Sequence, residues 1–136
     1  MMRLALVGYG KMGRVIESLA GEYDAEVVLR LDEFNNVDGA GMTAEAFSGV
    51  DAAIEFTAPG AVLGNLRRLA ELGVPTVCGT TGWYDELPSV VERFEAAGGQ
   101  FVYAPNFSIG VNLFERLVSD AAALFAERKE YGAWAW

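Results

Sequence analysis

The chain of 136 residues contains no histidine and a single cysteine, and no apolar run approaches the ~20 residues that a membrane span requires. The lone Cys78 excludes an intrachain disulfide and favours a cytoplasmic protein. Its position in an apolar run favours a buried small hydrophobic residue over a reactive thiol. Because histidine is missing, the chain is unconvincing as a complete acid–base catalyst.

Positive charge is also scarce, with 10 Lys and Arg against 19 Asp and Glu and a formal net charge of −9. This excess of acids argues against partners such as nucleic acid or an anionic membrane surface. Any anionic ligand must therefore be held by local backbone donors. The apolar fraction of 52% is large enough for a hydrophobic core, and the length predicts one domain.

The most informative segment lies near the N-terminus, where the apolar run 3–7 ends in Gly8-x-Gly10-x-x-Gly13 and a helical pattern follows. This order of strand, tight turn and helix N-terminus holds a dinucleotide pyrophosphate. We expect Gly8 to allow the sharp turn, Gly10 to let a phosphate approach the backbone, and Gly13 to let the helix lie close to the sheet. The unpaired N–H groups and the helix dipole then face the anion.

Strand and helix patterns alternate along the remaining chain, which predicts an α/β fold with a doubly wound parallel sheet of Rossmann type. The predicted strands are 3–7, 26–31, 51–56, 74–78 and 100–103, and the predicted helices are 11–20, 61–72, 84–97 and a long C-terminal 109–128. We expect a loop over 33–49 with a short helix at 43–47. The alternating aromatic segment Tyr131–Trp136 predicts a short terminal strand that once led into a further region, with an edge strand or a disordered tail as the alternatives.

An acid follows the second predicted strand at the spacing of about 20 residues expected for binding the adenosine ribose. This residue is Asp32, and its neighbour is Glu33. Two carboxylates would repel a 2′-phosphate, so the sequence favours NADH over NADPH. Lys11 and Arg14 keep NADPH open as partners for that phosphate. The alternative role for Asp32 is that of a solvated loop acid.

Further polar loops follow the other predicted strands. The segment 57–59 either borders the pyrophosphate or the ribose, or simply begins a helix. The segment 79–82 offers backbone N–H groups and two hydroxyls beside the nicotinamide and a substrate carboxylate. Asn106 and Ser108 suit the nicotinamide carboxamide, with Phe107 near the ring, although such a loop taken alone is only a turn.

Four segments together resemble the 4-hydroxy-tetrahydrodipicolinate reductase (dihydrodipicolinate reductase) family across essentially the whole chain. They are VGYGKMGR at 7–14, EFTAP at 55–59, VCGTTGW at 77–83 and YAPNFSIGVN at 103–112. The resemblance implies reduction of a cyclic, imine-type dicarboxylate with NADH or NADPH in diaminopimelate and lysine biosynthesis. It implies cofactor binding by Gly8, Tyr9, Gly10, Lys11, Met12, Asp32, Phe56, Thr57, Gly79, Thr80, Thr81, Ala104, Pro105, Asn106 and Phe107. It also implies that Thr81 contacts the substrate.

Two motifs of that family are missing, a His-His-x-x-Lys-type motif and a Ser-Gly-Thr carboxylate-binding loop. We therefore expect no catalytic residue and no metal ligand in this sequence. Residues 1–130 are predicted to form the NAD(P)-binding domain, and 131–136 the truncated start of a substrate and tetramerisation domain. The family is a homotetramer, and we expect this chain to bind cofactor with little or no turnover and to self-associate through uncovered apolar surface. The alternatives are a stand-alone dinucleotide-binding or sensing module and another small NAD-dependent dehydrogenase domain.

Overall fold

A computed structural model describes residues 1–128 and divides the chain into two compact units, Met1–Pro105 and a second unit that starts at Asn106. The first unit contains β1 (Met2–Val7), α1 (Lys11–Ala20), β2 (Ala25–Leu31), β3 (Ala52–Glu55), α2 (Pro59–Glu71), β4 (Thr76–Cys78), α3 (Leu87–Ala96) and β5 (Phe101–Tyr103). The second unit contains α4 (Ile109–Ala126). Within residues 1–128, no helix combines the length and the apolar character that a membrane crossing demands.

The five strands of the first unit form one parallel sheet in the order β2-β1-β3-β4-β5. The chain leaves β1 in one direction to reach β2 and returns past it to add β3, β4 and β5. This reversal creates a switch point between β1 and β3, where ligands bind beyond the carboxyl ends of the strands. The predicted α/β fold with a doubly wound parallel sheet is therefore confirmed.

Both faces of the sheet bury apolar side chains, because successive residues of a strand point to opposite sides. The larger core lies under α2 and α3, whose Leu66 and Phe94 belong to the same buried cluster as Val7 of β1. Phe94 stacks on Phe101 of β5, with ring centroids 4.5 Å apart. A smaller cluster around Leu4 and Ala20 joins α1 to the opposite face. The sheet thus gives a rigid support to the loops at its carboxyl edge.

The boundaries of most elements agree with the sequence, and Pro59 begins α2 as its fixed φ angle predicts. The predicted helix 84–97 begins too early. Tyr84–Glu86 forms a 3-10 turn, and α3 begins only at Leu87. Pro88 explains the difference, because proline has no N–H to donate and fits the first turn of an α-helix.

The prediction of a short helix at 43–47 is wrong. The segment consists of turns, in which Phe47 N donates to Thr43 O at 3.1 Å and Ala46 N donates to the Thr43 hydroxyl at 3.1 Å. One helical hydrogen bond does not offset the cost of nucleating a helix. The loop instead forms a 3-10 turn at Val37–Gly39, with Asp38 at a positive φ of 51°.

The second unit contains helix α4 and the loop that leads into it. The Ser108 hydroxyl caps α4 by accepting the Val111 N–H at 3.3 Å. Asn112 Nδ2 donates to the carbonyls of Asn106 and Ser108, at 3.0 and 2.8 Å, and so fixes the entry to the helix. The helix ends at Ala126, before the predicted end at 128. The predicted terminal strand Tyr131–Trp136 lies outside the described residues.

Candidate functional site

The turn between β1 and α1 requires glycine at its first position. Gly8 has a φ of +102°, and a Cβ atom there would lie 2.0 Å from the backbone oxygen of Phe56. The N–H groups of Gly8 and Tyr9 both donate to the carbonyl of Leu31, at 2.8 and 3.0 Å. The turn is therefore held between the ends of β2 and β3, and no side chain fits in the space that Gly8 leaves.

The other two glycines of the motif have different surroundings. Gly10 precedes the first residue of α1, and a Cβ atom there would meet nothing within 4 Å. Gly10 therefore leaves open space beside the N–H groups of the first turn, where an anion is favoured. A Cβ atom on Gly13 would lie 2.6 Å from the Gly8 oxygen. Gly13 thus allows close packing of α1 against the glycine turn, whereas we had expected close packing against the sheet.

Asp32 shapes the loop that follows β2. Its Oδ1 atom accepts the N–H groups of Phe34 and Asn35, at 2.8 and 3.0 Å, while its own N–H donates to Asn35 Oδ1 at 2.8 Å. Its other oxygen, Oδ2, makes no hydrogen bond to any of residues 1–128. One oxygen of the carboxylate therefore orders the loop, and the second is left for a ligand donor such as a ribose hydroxyl.

A cleft of about 1080 Å³ lies beside the glycine turn, the loop after β2, and the start of α2. Its volume is close to the upper end of the range of about 300–1,000 Å³ for ligand-binding clefts. Six of the predicted site residues line it: Gly8, Tyr9, Gly10, Asp32, Phe56 and Thr57. The structure thus brings together the residues that three different strands present at the switch point of the sheet.

The remaining predicted residues do not line this cleft. In the first unit they are Lys11, Met12, Gly79, Thr80, Thr81, Ala104 and Pro105. The Phe56 ring stands against the loop after β4, where a Cβ atom on Gly79 would lie 2.1 Å from the ring carbons. Gly79 is therefore required by packing against Phe56. Asn106 and Phe107 belong to the second unit.

Tyr9 is fixed by charged groups on α1 and β2. Its hydroxyl donates to Glu17, and Arg30 also binds Glu17, with Nε 2.8 Å from Oε1. The hydrogen bonds from Arg30 and from Tyr9 hold the pKa of Glu17 below its usual value, and the hydrogen bond to Glu17 raises the pKa of Tyr9. The Arg14 guanidinium lies 5.8 Å from the centre of the Tyr9 ring. Arg14 also lines the cleft and pairs with no acid among residues 1–128.

The far wall of the cleft comes from α2, which the sequence reading did not assign to the site. Asn65, Arg67 and Arg68 line the cleft there. Arg68 is engaged, because its Nε donates to the Met42 carbonyl at 2.8 Å and its Nη1 lies 3.0 Å from Glu71. Asn65 is 4% exposed. A polar residue within the apolar stripe of a helix is the sequence signal that could have marked it, although that signal does not show which loop the residue faces. No cluster of acidic or cysteine side chains in the described part of the chain is arranged to hold a metal ion.

A polar pair is buried beneath the cleft, between β3 and β4. The Cys78 thiol donates to Glu55 Oε2 at 3.3 Å. Burial raises the pKa of Cys78 to about 12, and the neighbouring Glu55 carboxyl adds to the effect. Cys78 is therefore the buried, unreactive thiol that the sequence favours.

Comparison with known proteins agrees with the motifs. A family model described as "Dihydrodipicolinate reductase, N-terminus" matches residues 2–107. A protein named 4-hydroxy-tetrahydrodipicolinate reductase from Christiangramia forsetii is 35% identical over 130 residues, which cover 96% of this chain and 52% of that protein. The proteins of the same name from Streptomyces coelicolor and Bifidobacterium longum are 36% identical over 128 residues and 35% identical over 132. These matches cover 91% and 92% of this chain, and 49% and 51% of those proteins.

The chain thus spans about half the length of the curated relatives that it matches. The matched region of the family model contains the glycine turn, Asp32 and the loops after β3 and β4. These findings confirm the resemblance that the motifs predicted and assign it to the N-terminal part of the relatives.

Proposed function

Since this chain belongs to the dihydrodipicolinate reductase family through the N-terminal part of those proteins, we propose that it binds a nicotinamide dinucleotide in the cleft at the switch point of its sheet. The observation that carries the proposal is the meeting of the glycine turn, the N-terminus of α1 and Asp32 around one cleft. The glycine turn and the N-terminus of α1 suit the pyrophosphate of a dinucleotide, and Asp32 suits its adenosine ribose.

The residues present fit that cofactor. Gly10 leaves open space beside the first turn of α1, where backbone N–H groups face a pyrophosphate. Asp32 Oδ2 has no partner among residues 1–128 and suits the hydroxyls of the adenosine ribose. Binding through backbone donors also suits a chain with a net charge of −9, because the global field opposes an anionic ligand.

The proposed cofactor is NADH in preference to NADPH. Asp32 and Glu33 both line the cleft, and a 2′-phosphate beside them would meet two carboxylates. NADPH binding is favoured only if Arg14 reaches that phosphate, since Arg14 lines the cleft without an acidic partner in the described part of the chain. Lys11, the second candidate, does not line the cleft.

We further propose that the chain serves the reduction of 4-hydroxy-tetrahydrodipicolinate to tetrahydrodipicolinate, in diaminopimelate and lysine biosynthesis. The bound cofactor supplies the hydride. The residues of this chain bind and orient the dinucleotide, and Thr81 contacts the dicarboxylate substrate. No catalytic acid is assigned here, so the chain alone turns over slowly or not at all, because cofactor binding without transition-state contacts does not accelerate chemistry. In this proposal the full-length relatives assemble as homotetramers, and this chain on its own self-associates.

Parallel calorimetric titrations with NADH and NADPH test the proposal. We expect both to bind, and NADH more tightly. Tighter binding of NADPH would indicate that Arg14 determines the cofactor preference, and not Asp32 and Glu33. Failure of both cofactors to bind the folded chain would refute the proposed function.

A further inference from the structure

The carboxyl end of β3 carries a buried acid to which the proposed function gives no role. Glu55 has no solvent-accessible surface, and no Lys or Arg of the described chain pairs with it. It lies beside Val7 of β1 and Cys78 of β4 in the register of the sheet. A buried carboxyl group is costly unless its oxygens are hydrogen-bonded, so its partners show what it does.

Both oxygens of Glu55 accept hydrogen bonds. The Thr57 hydroxyl donates to Oε1, and Asn65 Nδ2 lies 3.4 Å from the same atom. The Cys78 thiol donates to Oε2 at 3.3 Å. Glu55 therefore connects three elements, namely the loop after β3, helix α2 and strand β4, through neutral donors.

Two of these donors belong to the wall of the cleft. Thr57 and Asn65 line the cleft, whereas Glu55 lies behind them. The Thr57 N–H donates to Thr80 Oγ1 at 2.7 Å, which ties the wall to the loop after β4. Asn65 Oδ1 accepts from Asn36 Nδ2 at 3.4 Å, and Asn36 also lines the cleft. One carboxyl group thus reaches the loops after β2, β3 and β4 through a single set of hydrogen bonds.

We propose that Glu55 is a positioning residue for the cofactor cleft, whose carboxyl group fixes Thr57 and Asn65 from behind in the orientation that faces the dinucleotide. This inference rests on the proposed function, because it takes the cleft as the cofactor site. Without Glu55, the Thr57 hydroxyl and the Asn65 amide lose their shared acceptor. They then have only each other as hydrogen-bond partners in this set, since Asn65 Nδ2 also lies 3.4 Å from Thr57 Oγ1. A wall that is ordered before binding gives higher affinity, because no ordering cost accompanies binding.

Two substitutions at Glu55 separate positioning from volume. Glu55→Met removes both acceptors at a similar size. Glu55→Gln keeps Oε1 for Thr57 and Asn65 and turns its amide group toward Cys78. We expect the Kd for NADH, measured by calorimetry on the full chain, to rise about tenfold in Glu55→Met, which corresponds to the loss of one net hydrogen bond. We expect it to stay within about twofold of the parent in Glu55→Gln, since the acceptor is kept.

Thr76→Val is the matched control. Thr76 is 3% exposed, and its hydroxyl donates to the Val74 carbonyl at 2.8 Å, at the opposite end of β4 from the cleft. This substitution also removes a buried hydrogen bond, so we expect a loss of stability with an unchanged Kd. An unchanged Kd in Glu55→Met would overturn the inference. An equal rise in Thr76→Val would also overturn it, because lost stability would then explain both.

A second readout needs no cofactor. The amide resonance of Thr57 in the free chain should move in Glu55→Met and stay in place in Thr76→Val, and a Thr57 amide that does not respond to Glu55→Met would overturn the inference. A parent chain that fails to bind NADH would refute the proposed function, while this spectrum still tests the positioning. If Glu55→Met does not fold, the side-chain carboxyl ¹³C resonance of Glu55 in the parent chain serves as the test instead. That resonance should shift on NADH saturation, and its constancy would overturn the inference.

Discussion

Substitution of Gly10 by alanine tests whether glycine is required at this position for ligand binding or for folding. A Cβ atom at Gly10 meets nothing within 4 Å, and the φ of −89° lies outside the left-handed region that favours glycine. We therefore expect Gly10→Ala to change the free energy of unfolding by less than about 1 kcal/mol. The added methyl group enters the open space beside the first turn of α1, where the pyrophosphate is proposed to lie.

The expected loss falls on binding. A phosphate displaced from the first turn of α1 loses one charge-assisted hydrogen bond to a backbone N–H, which contributes roughly 1.5–3 kcal/mol. The Kd for NADH should therefore rise about 10- to 150-fold in Gly10→Ala. Urea unfolding followed by circular dichroism gives the stability, and calorimetry on the same preparation gives the Kd.

Two other glycines supply the controls. Gly21→Ala also meets nothing within 4 Å, at the other end of α1, and should leave both stability and Kd near the parent values. Gly8→Ala places its Cβ atom 2.0 Å from the Phe56 oxygen at a φ of +102°, so we expect it to destabilise the fold itself. A Gly10→Ala chain that binds NADH as tightly as the parent would refute the placement of the pyrophosphate.

Three further predictions concern Asp32, Cys78 and Phe94. Asp32→Asn keeps the Oδ1 acceptor that orders the loop but replaces the Oδ2 acceptor proposed for the ribose hydroxyls. Calorimetry should therefore show about tenfold weaker NADH binding and a smaller loss for NADPH. Equal losses for the two cofactors would contradict the ribose role. Because the folded-state pKa of Cys78 is raised from 9.0 to about 12, the unfolded thiol ionises first above pH 9, and the parent should lose up to about 1.4 kcal/mol of stability per pH unit from there relative to Cys78→Ser. A constant difference between the two chains in urea unfolding from pH 8 to about pH 11 would contradict this sign. Phe94→Ala removes a buried ring that stacks on Phe101 and should cost about 3–5 kcal/mol in urea unfolding, and a cost below about 1 kcal/mol would show that the core is packed differently.

The sequence was sufficient for the sheet because its signals are local. The apolar run before Gly8 involves a few neighbouring residues, and the spacing to Asp32 spans a single helix and the strand that follows it; both are found in the structure as expected. The start of α3 was misplaced because one residue, Pro88, decides it against an otherwise helical pattern. The segment 43–47 was misplaced because a single turn has helical spacing without helical stability.

The walls of the cleft were harder to predict, because they depend on distances between elements. Nothing in the segment 59–71 shows where on the sheet Asn65 and Arg67 will lie, and only the packing of α2 on the sheet brings them to the wall of the cleft. The contact between the Phe56 ring and Gly79 likewise depends on how two separate loops pack together. A glycine in a polar loop suggested a ligand, and the structure adds that a side chain at this glycine would collide with an aromatic ring. The predicted cofactor contact of Gly79 stays a prediction.

Glu55 shows most clearly how a position can be read correctly as strand and still be missed as part of a site. It sits in a run of apolar residues, and a strand pattern tolerates one polar member, so periodicity alone gives it no role. Its burial without a cationic partner is a property of the folded chain, and so is the convergence of three donors on its oxygens. An acid kept in the core of a chain that already carries an excess of negative charge needs a reason beyond stability, because an apolar residue of the same volume would fill the space at lower cost. The hydrogen bonds to Thr57 and Asn65, on the wall of the cleft, supply that reason.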